Sequence, residues 1–186
     1  MTTLSDAPGR VPGTAPRHTV PMIEVVPART SDVDGIRALV EPQAGKRVLL
    51  AKERVAYYET VPEFRVVHDD AGEVVGCGAL HVMWKDLAEV RTLTVRADHK
   101  GTGVGAAILR RLLDDARDLG VSRVFCLTFE TAFFGRHGFA EIEGIPVEHE
   151  VYAELLRSYD EGVAEFLDLE RVKPNTLGNT RMLKIL

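Results

Sequence analysis

The chain has 186 residues, 45% hydrophobic and 27% charged, with a formal net charge of −5. That length suits one domain with a sizeable core, or one domain and a tail, and the composition is that of a soluble globular enzyme. The acidic balance excludes a nucleic-acid binder of the usual kind, which shows a basic stripe. No run approaches the roughly 20 apolar residues of a membrane span, and no apolar signal core opens the chain, so the expected compartment is the cytoplasm. Cys77 and Cys126 sit far apart in apolar runs and read as two buried thiols, not as a disulfide framework.

Residues 1–21 are rich in Pro, Gly, Thr and Ala without apolar periodicity and are expected to form a flexible tail ahead of a domain at 22–186. A short strand near Ile23–Val26 is followed by Ser31 and Asp34, spaced as a capping box. The helix they introduce carries Ile36, Leu39 and Val40 and is expected to stop near Pro42; a second helical stretch is expected at about Leu50–Thr60. Phe64–His68 and Val74–Met83 read as strands around the turn Asp69-Asp70-Ala71-Gly72, and Glu89–Val95 as another. Val104–Leu119 is the clearest helix: Ile108, Leu109, Leu112, Leu113, Ala116 and Leu119 recur at helical spacing, and Gly120 provides a left-handed stop. A strand at Val124–Thr128, a short helix at Ala132–His137, a helix at Val151–Asp160 and a final extended segment at Arg181–Leu186 follow. The order predicts an α/β fold, a mixed central sheet flanked by helices on both faces.

Between the strand Glu89–Val95 and the long helix lies Lys100-Gly101-Thr102-Gly103-Val104-Gly105. Glycines ahead of a helix allow backbone amides and the helix dipole to face an anion, and Lys100 adds a charge. A plain tight turn uses the same residues. The loop is neither a P-loop, since no Lys-Ser/Thr pair follows, nor a G-x-G-x-x-G dinucleotide loop.

Together with Glu89–Val95 before it, this loop resembles the GNAT acetyltransferase superfamily, in which a strand leads into R/Q-x-x-G-x-G/A and binds the pyrophosphate of CoA. Lys100 stands where the family usually has Arg or Gln, keeping a charge but losing a planar fork. Phe133-Phe134-Gly135-Arg136-His137-Gly138-Phe139 resembles the family's segment beside the pantetheine arm. There the usual proton-donating Tyr is Phe134, so another donor or water serves the CoA thiolate, or the thiolate, itself a fair leaving group, departs unprotonated. The resemblance covers residues 22–186. It implies acetyl-CoA as co-substrate, contacted by Leu93, Thr94, Val95, Lys100, Gly101, Thr102, Gly103, Val104, Gly105, Phe133 and Arg136; it also implies a homodimer, the usual assembly of the superfamily.

Amide formation needs a neutral amine, so a base must take a proton from the ammonium. Glu89 is the first candidate and Glu130 the second; a surface carboxylate is the plain alternative for either. An N–H near Thr92 or Leu93 is placed to stabilise the oxyanion. Strand alternation puts Glu89, Arg91 and Leu93 on one side.

Gly76–His81, Asp86–Thr92, Leu127–Thr131, Phe134–Glu143 and Lys173–Leu183 are similar to the short, single-domain amino-acid N-acetyltransferases of actinobacteria, which make N-acetylglutamate for arginine biosynthesis. This implies a small-molecule acceptor, glutamate or glutamine. Lys52 matches a basic position on the acceptor carboxylate in that family; Arg91 and Arg181 are further carboxylate partners by charge, although each is equally a solvated cation in isolation. His81 and Trp84 lie toward the acceptor side, with core packing the plainer account of Trp84, and His99 precedes the loop within reach of phosphate. The histidines show no metal-ligand spacing, and no metal is expected. Two rivals remain open: a GNAT enzyme for a cationic amine, and a non-catalytic acyl-CoA-binding module, which Phe134 favours.

Overall fold

A computed structural model describes residues 23–45, 53–167, 169 and 178–186. In chain order its elements are β1 (Val26–Pro27), α1 (Val33–Gly45), α2 (Arg54–Glu59), β2 (Phe64–His68), β3 (Val74–Trp84), β4 (Leu87–Val95), α3 (Val104–Asp118), β5 (Arg123–Thr128), α4 (Thr131–Arg136), β6 (Ala140–Glu141), α5 (His149–Leu155), α6 (Glu161–Phe166) and β7 (Thr180–Ile185). The expected tail and Lys52 lie outside the described residues.

The strands make one mixed sheet in the order β1-β2-β3-β4-β5-β7-β6. β1 to β4 pair antiparallel in sequence. β4 and β5 run parallel, which demands a crossover, and α3 supplies it. β7 returns antiparallel beside β5, with the two-residue β6 on its outer edge.

α3 buries Val104, Ala107, Ile108, Leu109, Leu112, Leu113 and Ala116 against one face of the sheet, where α4 adds Phe134 and where Val75, Leu80, Ala88, Val90, Val124 and Cys126 meet them. Leu119 departs from the expected face. It is 63% exposed because the helix ends at Asp118 and Gly120 turns left-handed with φ 80°. The N–H groups of Gly120 and Val121 return to the carbonyls of Arg117 and Ala116, both at 2.9 Å, the paired bonds of a Schellman stop.

The opposite face carries two separate apolar clusters. α1 and α2 cover Phe64, Val66, Cys77 and Ala79; α5 and α6 cover Met83, Leu87 and Phe125. Trp84 packs at the margin of the second cluster, which bears out its reading as a packing residue. Helices therefore flank both faces, as expected.

β1 and β4 are shifted by a few residues from expectation, and three further local features differ from it. The Ser31–Asp34 box does not form: residues Thr30–Asp32 make a 3-10 turn in which the Arg29 N–H donates to Asp32 Oδ2 at 2.7 Å, and Asp34 pairs with Arg54. α1 runs past Pro42 to Gly45. Proline removes one donor, but the freed carbonyl belongs to Ala38, on the same exposed side as Pro42, so it is not left buried without a donor. The helix expected over Val151–Asp160 is α5, which stops at Leu155; a turn at Ser158, whose Oγ accepts the N–H of Asp160 at 3.1 Å, separates it from α6, which starts only at Glu161.

At Gly76, β3 approaches α3 too closely for a side chain. A Cβ on Gly76 would lie 2.6 Å from Val104 Cγ1 and 2.9 Å from Ile108 Cδ1. Gly76→Ala must therefore displace the Val104 and Ile108 side chains, and is expected to cost about 1–3 kcal/mol. Urea unfolding should show a lower midpoint with an unchanged slope.

Candidate active site

Thr92 breaks the regularity of β4. Its φ is 57°, a left-handed conformation that is costly for a β-branched residue, on the order of 1–3 kcal/mol. Across the ladder Cys77 faces Thr94 and Ala79 faces Arg91, so Gly78 alone opposes both Thr92 and Leu93. This is a β-bulge. The extra residue reverses the alternation beyond it: Glu89 and Arg91 keep the face away from α3, while Leu93 and Val95 pack with the α3 core. The expectation that Leu93 shares a side with Glu89 is thus overturned by the bulge.

The parallel ladder of β4 and β5 extends only from Leu87/Arg123 to Glu89/Phe125. Beyond it, β4 continues against β3 and β5 against β7, leaving a wedge between them. Its walls are main chain without a ladder partner on that side, which an extended ligand bearing amides can join as a strand does.

α3 begins at the wide end of this wedge. Its N-cap is Gly103, φ 94°, with no side-chain cap, and Gly101 is also left-handed at 80°. The first-turn N–H groups of a 15-residue helix have no intrahelical acceptors and sit at its positive end, so the loop forms an anion cradle of backbone. Lys100, Gly101, Thr102 and Gly103 are exposed. Thr102 contributes through backbone alone, since its Oγ1 donates to the His99 carbonyl at 2.7 Å. The loop base is clamped: Arg96 pairs with Asp98 at 2.9 Å and Asp69 at 3.0 Å, and His99 Nδ1 meets Asp98 at 2.9 Å.

Phe133 stands between α4 and the loop; a Cβ on Gly105 would lie 3.8 Å from its ring and 3.5 Å from Val95. Phe134 is buried, edge-on to Phe133 and Phe139 with centroids 5.2 Å away in each case, and its hydrocarbon ring has no proton to give. Arg136 is exposed in the last turn of α4, and Glu130, the second candidate base, is exposed at the start of that helix.

On the other face, a chain of charges fills the seam between the two apolar clusters. Glu89 is only 4% exposed. Arg91 Nε lies 3.2 Å from Glu89 Oε2, and the same guanidinium donates to both oxygens of Asp160 at 2.9 and 3.2 Å. His81, the cross-strand neighbour of Glu89, has Nε2 4.0 Å from Asp160 and Nδ1 2.8 Å from Glu63. Burial pushes the Asp160 carboxyl up, but the Arg91 fork outweighs it and the group is held down at about 2. Burial likewise lowers the Arg91 guanidinium, while Glu89 and Asp160 raise it further, for a net upward shift. α6 closes over this pair: a Cβ on Gly162 would lie 2.5 Å from Glu89 Oε2.

Arg181 reaches the same face through β7, opposite Leu127. Its guanidinium sits 5.6 Å from the Phe125 ring centre and 5.9 Å from that of Phe166 and donates to the Phe166 carbonyl. Glu89, Arg91 and His81 are thus gathered as expected, with Arg181 across β5. Asp160 and Glu63 were not anticipated. The one sequence signal for Asp160 is its role as cap, since Oδ1 accepts the Val163 N–H at 3.0 Å, a spacing of three residues common to helix starts. Among the described residues, no group of His, Cys, Asp or Glu is arranged to hold a metal, and no helix is long and apolar enough to cross a membrane.

A bulged β4 splayed from β5, ahead of a glycine cradle, is the framework of an acyl-CoA enzyme, and sequence comparison agrees. Residues 34–139 match the acetyltransferase (GNAT) family model, and the chain belongs to that family. An amino-acid acetyltransferase from Mycobacterium tuberculosis is 59% identical over 173 residues, covering 92% of this chain and 98% of the relative. A Mycobacterium tuberculosis crystal structure in complex with CoA and NLQ superposes with a TM-score of 0.84, at 59% identity, over 88% of this chain and 99% of that one. N-acetylglutamate synthase from Neisseria gonorrhoeae, complexed with coenzyme A and N-acetyl-glutamate, shares the fold at 23% identity, with a TM-score of 0.70, over 89% of this chain and 35% of that one.

Asp160 links this site to acid stability. Its carboxyl is lowered on folding from 3.8 to about 2, so its contribution is fully present above about pH 4 and is lost as pH falls through about 2. Asp160→Asn is expected to cost up to about 2 kcal/mol near pH 6. The gap from the parent protein should close between pH 4 and pH 2 in urea melts; a gap independent of pH would refute the charge assignment.

Proposed function

We propose that this chain transfers the acetyl group of acetyl-CoA to the α-amine of L-glutamate, with L-glutamine the nearest alternative, and so supplies N-acetylglutamate for arginine biosynthesis. The observation that carries the proposal is the buried Glu89–Arg91 pair beside the β4–β5 wedge, in a chain 59% identical to an amino-acid acetyltransferase.

In this reading the pantetheine arm enters the wedge along Leu93, Thr94 and Val95, and Phe133 borders it. Backbone N–H groups of residues 101–105 take the pyrophosphate, with Lys100 and Arg136 adding charge from its edges. Glu89 accepts a proton from the substrate ammonium; the neutral amine attacks the thioester carbonyl. An N–H at the Thr92–Leu93 bulge supports the oxyanion. Collapse breaks the C–S bond, the nitrogen gives up its second proton to water, the amide forms and CoA thiolate departs. Phe134 cannot protonate that thiolate, so water does, or it leaves as the anion.

Arg91, Arg181 and Lys52 are the proposed partners of the substrate carboxylates. Arg181 already holds a carbonyl oxygen, and exchanging it for a carboxylate strengthens the bond by adding charge. Cytoplasmic location, a homodimer and a separate tail at 1–21 complete the reading.

The buried Phe134 is what favours the rival reading, a non-catalytic CoA-binding module. Release of CoA thiol across an amino-acid panel separates the two. The assay is clean because both cysteines are buried, burial pushing the Cys77 thiol up to about 12 and Cys126 higher still. Glutamate or glutamine should raise thiol release above background hydrolysis; a panel with no active amino acid refutes the proposal. Glu89→Gln should lower kcat by about 10²–10⁴ with KM for acetyl-CoA nearly unchanged. Arg181→Met should raise KM for the amino acid about tenfold or more, leaving that for acetyl-CoA in place.

A further inference from the structure

Arg91 is shared. One edge of its guanidinium faces Glu89 at 3.2 Å, while the other is held by both oxygens of Asp160. Its side chain is only 8% exposed, so solvent screens these contacts poorly. Asp160 is fixed in turn: its N–H donates to Ser158 Oγ, and its Oδ1 caps the Val163 N–H. Two residues on, Gly162 lies against Glu89 Oε2.

A cation committed wholly to Glu89 would stabilise the carboxylate and weaken it as a base. A cation divided between two carboxylates does so less. We infer that Asp160 is a positioning residue for acetyl transfer: by drawing part of the Arg91 charge, and by seating α6 on Glu89, it keeps that carboxylate basic and aimed at the acceptor amine. The inference rests on the reading of Glu89 as the base.

The other charged and titratable groups around Glu89 are His81 on β3, Glu63 before β2, Cys126 on β5 and Arg181 on β7. None of them forks Arg91 as Asp160 does. His81 meets Glu63 and Asp160 and so belongs to the outer end of the chain of charges. Asp160 is the group whose neutralisation returns the Arg91 charge to Glu89.

The test is the pH dependence of kcat for Asp160→Asn with acetyl-CoA and glutamate, or whichever amino acid proves active. Removing a nearby negative charge lowers the pKa of Glu89. The acid limb should therefore move to lower pH by about one unit, a tenfold change in the protonation equilibrium. The plateau should fall about threefold or more as the base weakens, with KM for acetyl-CoA within about twofold. Asp160→Glu, which restores the charge on a longer arm, should recover most of the acid limb. A carbon-13 titration of the Glu89 carboxylate in the parent and Asp160→Glu proteins gives a readout independent of turnover, and holds if Asp160→Asn fails to fold. There the Glu89 midpoint should fall modestly in the Glu variant, whose longer arm loosens the fork. An unmoved acid limb and an unmoved Glu89 midpoint overturn the inference, whatever happens to stability. A change confined to KM for the amino acid also overturns it, making Asp160 a substrate contact. Glu89→Gln, run in parallel, separates the two claims: full activity there removes the base assignment itself, whereas an inactive Glu89→Gln beside an unchanged Asp160→Asn removes only this inference.

Discussion

The left-handed backbone at Thr92 is the constraint on which the rest of the site depends. A regular β4 would pair with β5 along its full length and close the sheet. With Gly78 opposing two residues, β4 bends, the parallel ladder stops at Glu89/Phe125, and a wedge of main chain opens beside the start of α3. The same extra residue sends Leu93 and Val95 to the α3 core and leaves Glu89 and Arg91 on the other face. One strained residue therefore gives a single strand an apolar stretch on α3 and a charged stretch on the opposite face. The strain persists because the β3–β4 ladder on both sides of it over-determines the conformation.

The face of β4 away from α3 is organised by charge. Burying Glu89 and Arg91 costs desolvation that their attraction only partly offsets, and Asp160, His81 and Glu63 extend the pair into a network in which each charge meets an opposite or hydrogen-bonding partner. That network lies between two apolar clusters that do not merge. Were the seam apolar, α1, α2, α5 and α6 would share one continuous core. Charge at the seam keeps the junction between the two clusters polar.

Legibility in the sequence followed the range of the interaction. α3 was readable because a 3.6-residue repeat and a terminal glycine are local signals, and the face it buries is the face expected, apart from Leu119 beyond the helix end. The glycine cradle was readable too, since positive φ at Gly101 and Gly103 is written in residue type. The bulge was not, because Thr92 is a normal strand residue whose conformation is imposed by β3. Nor was Asp160, read as the end of one helix; it caps the next and reaches Arg91 69 residues away in sequence.

The sequence by itself determined the α/β order, the anion cradle ahead of a long helix, the absence of a phenolic donor at Phe134, and the candidacy of Glu89 and Arg91. Those are matters of residue type and short spacing. Only the tertiary structure decided which face of β4 each residue meets, that the wedge opens at Glu89, and that Arg91 is held between Glu89 and Asp160. Parity along a strand is lost at a single bulge, and a guanidinium's partners are chosen by what the fold brings within about 3 Å, neither of which any local pattern records.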